Sequence, residues 1–140
     1  MPTTNEVITV AHAIQQSVAP VFLIMGVGSI LGVLSTRLAR VIDRFRTLDK
    51  IDYEMREDHH SEMMMLILRA RWIHWAITLC TTSGLLICIV IAAMFIGSEL
   101  EKDPSGVISF FFIAAMVALT FGLICFLREI ALSMGVIKLR

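Results

Sequence analysis

Residues 72–97 read WIHWAITLCTTSGLLICIVIAAMFIG, and no Asp, Glu, Lys or Arg interrupts them. A helix rising about 1.5 Å per residue crosses a hydrocarbon layer of about 30 Å with ~20 such residues. Two further runs free of those four residue types flank this one, between Glu6 and Arg37 and between Asp103 and Arg128. Trp72 and Trp75 mark one interface of the middle run, where indole rings prefer to sit. We place the spans at 18–36, 72–97 and 107–127. The predicted fold is an all-α membrane protein with three transmembrane helices. Extensions of the first and second form a cytoplasmic helical hairpin.

The composition agrees. The chain has 140 residues, 57% of them hydrophobic and 17% charged, with a mean hydropathy of +0.82. Soluble domains run at roughly 45–50% apolar and about 25% charged, so an ordinary soluble globule is excluded. Twelve basic and twelve acidic residues cancel, which argues against a nucleic-acid partner. Cys80, Cys88 and Cys125 all fall in apolar stretches and read as inert buried thiols.

Orientation follows from the loops. The 37–71 segment carries eight of the twelve basic residues, residues 1–16 carry none, and the 98–106 turn carries only Lys102. Lys and Arg are retained on the cytoplasmic side, so the amino terminus is predicted outside and the carboxyl terminus inside. Residues 1–17 then form an external tail, 37–71 the hairpin, 98–106 an external turn and 128–140 a cytoplasmic tail. The first run ends in basic residues, and it is expected to stay as a span and not to be cleaved as a signal.

The hairpin rests on spacing. Leu34, Leu38, Val41, Phe45 and Leu48 follow a 4-3-4-3 rule, as do Met63, Leu66, Ala70, Ile73, Ile77 and Cys80. No Gly or Pro interrupts 36–72. Two helices leaving the bilayer and turning near 56–61 satisfy this pattern. A surface-lying amphipathic segment is the alternative, and the unbroken seam favours the upright pair.

Ile14-Gln15, Ala19-Pro20-Val21-Phe22-Leu23, Arg37-Leu38-Ala39-Arg40-Val41-Ile42-Asp43-Arg44 and Phe126-Leu127-Arg128-Glu129 resemble a family of small bacterial membrane proteins. That family is known only as a domain of unknown function. The resemblance covers most of the chain and implies a bacterial three-helix membrane protein. It brings no activity, ligand or catalytic residue.

Three groups of residues are candidates for function. On the first helix Ser17, Val21, Gly28, Gly32, Ser35 and Ala39 share an arc of about 60°. Gly28-x-x-x-Gly32 admits a close neighbouring helix, so this face reads as packing, within or between copies, or as a pore lining. A different face collects Arg37, Arg40 and Arg44. They would anchor to anionic lipid headgroups or ring the cytoplasmic mouth of an oligomeric pore, with Asp43 neutralising part of the field. On the second helix His74, Thr78 and Thr81 form a polar stripe. Its hydroxyls can bond back to the preceding turn and His74 lies near the tryptophan interface.

Asp58, His59, His60 and Glu62 make the single cluster of metal-ligand types. Adjacent histidines point about 100° apart on a helix, so a solvated turn is the expected reading and no metal or cofactor is assigned. Met63, Met64 and Met65 read as adaptable packing. His74 is the one ionisable group within the two longer spans, and no Walker loop, nucleophile elbow or metalloprotease motif occurs. An enzyme is not expected. Three spans cannot enclose water, but several copies can. The leading expectation is a homo-oligomer in the bacterial inner membrane, acting as a passive pore or small-ion channel lined by the first helix. The rival is a non-conducting adaptor or structural oligomer whose hairpin binds a cytoplasmic protein.

Overall fold

A computed structural model describes residues 4–55, 60–99 and 105–138, with side chains for 6–51, 60–97 and 105–135. They form three helices: α1 (Thr4–Met55), α2 (His60–Glu99) and α3 (Ser105–Lys138). All three are long and apolar enough to cross a membrane. The chain is therefore a multi-pass membrane protein. In lipid a backbone can satisfy its polar groups only internally, which is why the segments are unbroken helices. Glu6 in the first turn of α1 and Glu62 in that of α2 suit the positive end of each helix dipole. Pro20 lies inside α1 and removes one backbone donor there.

The stretches expected as tails are largely helical. α1 already begins at Thr4, with Ala13 and Ser17 buried, and α3 continues ten residues past Arg128 to Lys138. The expected bends near 56–61 and 98–106 fall mainly outside the described residues.

α2 is the central helix and packs against both others. On α1 the buried positions Val27, Leu34, Val41 and Leu48 recur every seven residues. They meet an equally spaced row on α2: Leu66, Ile73, Cys80 and Ile87. A seven-residue repeat is the period of a left-handed coiled coil. The seam residues Leu38, Phe45, Met63, Ala70 and Ile77 pack beside these rows.

A second row on α2, offset by three residues, faces α3. It reads Arg69, Ala76, Ser83 and Val90, while α3 answers with Ala115, Gly122 and Glu129. Arg69 meets Glu129, and the Ala76 carbonyl lies 3.4 Å from where a Cβ on Gly122 would sit. Ser83 donates to the Ala115 carbonyl at 2.8 Å. Each pair steps seven residues forward on one helix and seven back on the other, so α2 and α3 are antiparallel in one register. The contact is built from small residues, which let backbones approach in a membrane where apolar burial alone gives no driving force.

α1 and α2 are antiparallel too. Arg44 pairs with Glu62, and further along Val27 lies 3.6 Å from a Cβ built on Gly84.

Candidate functional site

The uncharged runs of the three helices end at Arg37 on α1, Arg71 on α2 and Arg128 on α3. The fold brings these ends to one level. There the α2–α3 row of small residues gives way to charge, and Glu129 takes the place that Ala115 and Gly122 occupy earlier on α3.

Glu129 is fully buried. Its Oε1 accepts from Arg69 Nε at 3.2 Å and Arg69 Nη2 at 2.9 Å, and its Oε2 accepts from Arg37 Nη1 at 2.9 Å. One carboxylate thus holds a guanidinium from each of the other two helices. Phe126, one turn earlier on α3, lies with its ring 5.2 Å from the Arg37 guanidinium carbon, adding a cation–π contact. Burying a carboxylate is costly unless it is paired and hydrogen-bonded. Both Glu129 oxygens meet that condition, and no buried side-chain polar atom among the described residues lacks a partner.

The arginine side chains are less enclosed, Arg37 at 38% and Arg69 at 22% exposure against 0% for Glu129. Desolvation therefore falls mainly on the acid. One turn or two beyond, Arg44 reaches across to Glu62 on α2 through Nε at 3.1 Å and Nη2 at 2.9 Å. Arg40 lies between them on α1 and has no carboxylate partner among the described residues.

The sequence-selected residues divide. Arg37 and Arg44 are drawn into ion pairs within the chain, with Glu129 and Glu62, and Asp43 takes no part in them. Arg40 keeps the free guanidinium expected of all three. Of the small-residue face on α1, Ser17 is buried and donates to the Ile14 carbonyl at 2.8 Å. Gly28, Gly32 and Ser35 are exposed, and a Cβ built on either glycine meets nothing within 4 Å. Packing within the chain does not use this part of the face. His74 is exposed, and Thr78 and Thr81 donate to the carbonyls of His74 and Ile77 four residues back, as such hydroxyls do in membrane helices.

One correction follows. Cys80 is buried and Cys125 half-buried, but Cys88 is exposed on the outer face of α2, so burial does not cover all three thiols. Asp58 and His59 lie outside the described residues, and among the described ones no three His, Cys, Asp or Glu gather.

Sequence reasoning does not single out Glu129 or Arg69: it places Glu129 in a tail and Arg69 in the helical hairpin. A signal was available, because Glu129 continues the seven-residue row of Ala115 and Gly122, and Arg69 begins that of Ala76 and Ser83. That spacing marks the helix face each side chain occupies, and the α2–α3 register then sets the two level.

A family described as "Protein of unknown function (DUF2721)" matches residues 17–139. No curated protein and no solved structure matches the chain.

Proposed function

The chain belongs to that family, whose description carries no activity, and from the geometry we propose that it assembles as a homo-oligomer forming a passive pore for small ions. One observation supports this most. On α1, Gly28, Gly32 and Ser35 are left uncovered by α2 and α3. A glycine face free in the single chain suits close approach of a helix from another copy. It also leaves room for a narrow polar path between copies. The triad of Arg37, Glu129 and Arg69 then acts as a clamp, holding the three helices of each copy at the membrane boundary. The concentration of Lys and Arg in 37–71 supports reading that boundary as the cytoplasmic one, with the amino terminus outward, in a bacterial inner membrane.

Flux across liposomes carrying the purified protein tests the reading. A Gly32→Leu or Ser35→Leu chain that still assembles but no longer conducts supports the pore. Absence of flux for K⁺, Na⁺ and Cl⁻ in the assembled wild type overturns it.

A second reading is favoured by a separate observation. Beyond the triad α1 runs eighteen further residues to Met55, about 27 Å of helix, beside the start of α2. A projecting hairpin of this length suits an adaptor that docks a cytoplasmic protein without conducting.

A further inference from the structure

Beside the triad, a cavity of about 320 Å³ opens between the helices. Its polar lining is Arg37, Arg40 and Arg44 from α1, Arg69 from α2 and Ser133 from α3. Buried Val41 and Leu66 supply apolar wall. Four arginines line this space. Two carboxylates pair with members of the set, Glu129 with Arg37 and Arg69, and Glu62 with Arg44. Two positive charges are left over.

Hydrogen-bonding capacity is left over as well. A guanidinium carries five N–H groups and accepts none. Arg37 gives Nη1 to Glu129, Arg69 gives Nε and Nη2, and Arg44 gives the same two atoms to Glu62. The Arg40 fork meets no acceptor among the described residues. Ser133 can add a hydroxyl. Several convergent planar donors, a surplus of two positive charges and an apolar wall describe a receptor for a tetrahedral oxyanion.

We propose that this cavity binds a phosphate ester, with Arg40 and Ser133 as its dedicated ligands and the triad arginines as its partly neutralised floor. A diester offsets one of the surplus charges and a monoester about two. The cavity lies just beyond the ends of the uncharged runs, the depth at which lipid phosphates sit, so a membrane lipid is one source and a soluble phosphate compound the other. The site requires neither an oligomer nor a pore.

Delipidated full-length protein in detergent is titrated with phosphatidylglycerol, with phosphatidylcholine and with inorganic phosphate, and bound ligand is read by native mass spectrometry. The wild type should show saturable binding of phosphatidylglycerol or of phosphate above phosphatidylcholine. Arg40→Ala should weaken it about tenfold, and Ser133→Ala about threefold. Arg40→Lys, which keeps charge but loses the fork, should fall between wild type and Arg40→Ala. Neither side chain holds an ion pair among the described residues, and Arg46→Ala outside the cavity serves as control. Dependence on Arg40 and Ser133 with phosphatidylglycerol alone identifies a lipid; the same dependence with inorganic phosphate identifies a soluble ligand. No saturable binding of either probe, or equal losses in Arg40→Ala and Arg46→Ala, overturns the proposal.

Discussion

Arg37 and Glu129 lie 92 residues apart and join at 2.9 Å two helices that otherwise scarcely touch. α2 packs along both α1 and α3, so each outer helix is fixed to the centre. The Arg37–Glu129 contact closes the third side of the triangle. Because Arg69 on α2 holds the other oxygen of the same carboxylate, the three helices are pinned at a single point. That point is also where each helix gains its first charge at the edge of its apolar run.

The triad should fail asymmetrically. Arg37→Ala leaves Glu129 with the two Arg69 hydrogen bonds to Oε1, and should cost about 1–2 kcal/mol. Arg69→Ala removes two hydrogen bonds from a fully buried acid and should cost more. The double variant strands the carboxylate, and its cost should reach about 3–5 kcal/mol. Denaturant unfolding in detergent micelles measures all three; equal costs for the two single variants would contradict the geometry.

At Gly122 α3 comes close to α2. A Cβ there would lie 2.9 Å from Cys80 Sγ, 3.3 Å from Leu79 Cβ and 3.4 Å from the Ala76 carbonyl oxygen. Gly122→Ala should therefore destabilise by about 1–3 kcal/mol through overpacking. Adding Cys80→Ala removes the nearest atom and should recover part of that loss. At Gly84 the nearest atom, of Val27, is at an ordinary 3.6 Å, so Gly84→Ala should change the midpoint little.

Ser83 donates to the Ala115 carbonyl at 2.8 Å within the α2–α3 contact. Interhelical bonds of this kind are worth about 0.6 kcal/mol on average and at most about 1.7. Ser83→Ala should lower thermal stability by that small amount without altering assembly, as scanning calorimetry and size-exclusion chromatography together would show.

Gly28 and Gly32 should behave in the opposite way. Their surroundings within the chain are empty, so Gly28→Leu should leave the fold of one chain intact and change the copy number. Cross-linking followed by mass analysis reads the second effect. An unchanged copy number would remove the support for α1 as the contact between copies.

Orientation can be checked by thiol labelling. In a background lacking Cys80, Cys88 and Cys125, Ser61→Cys should react with an impermeant reagent only after the cells are opened, and Ser105→Cys before. The reverse pattern would invert the topology inferred from Lys and Arg.

Much of the fold was legible in the residues. Charge-free runs mark the three helices because a charged side chain in hydrocarbon is expensive wherever it points. The α1–α2 seam was readable through Leu34, Val41, Leu48, Leu66 and Ile73, since these parts of α1 and α2 mix polar with apolar positions. The α2–α3 contact was harder to see. A helix in water declares its buried face by being apolar there, but a helix in lipid is apolar all round. Its buried face is then marked by size, as at Ala76, Ser83, Ala115 and Gly122.

The chain alone therefore determined how many helices there are, where their apolar parts end and how the first two pair, because transfer from water to lipid acts residue by residue. Which charges meet was decided only by the packing of α3. A seven-residue register had to bring Glu129 level with Arg69 and Arg37 before a residue in an apparent tail became the most enclosed acid among the described residues. Spacing along one helix carries no information about height on another. Contact between small side chains sets that height.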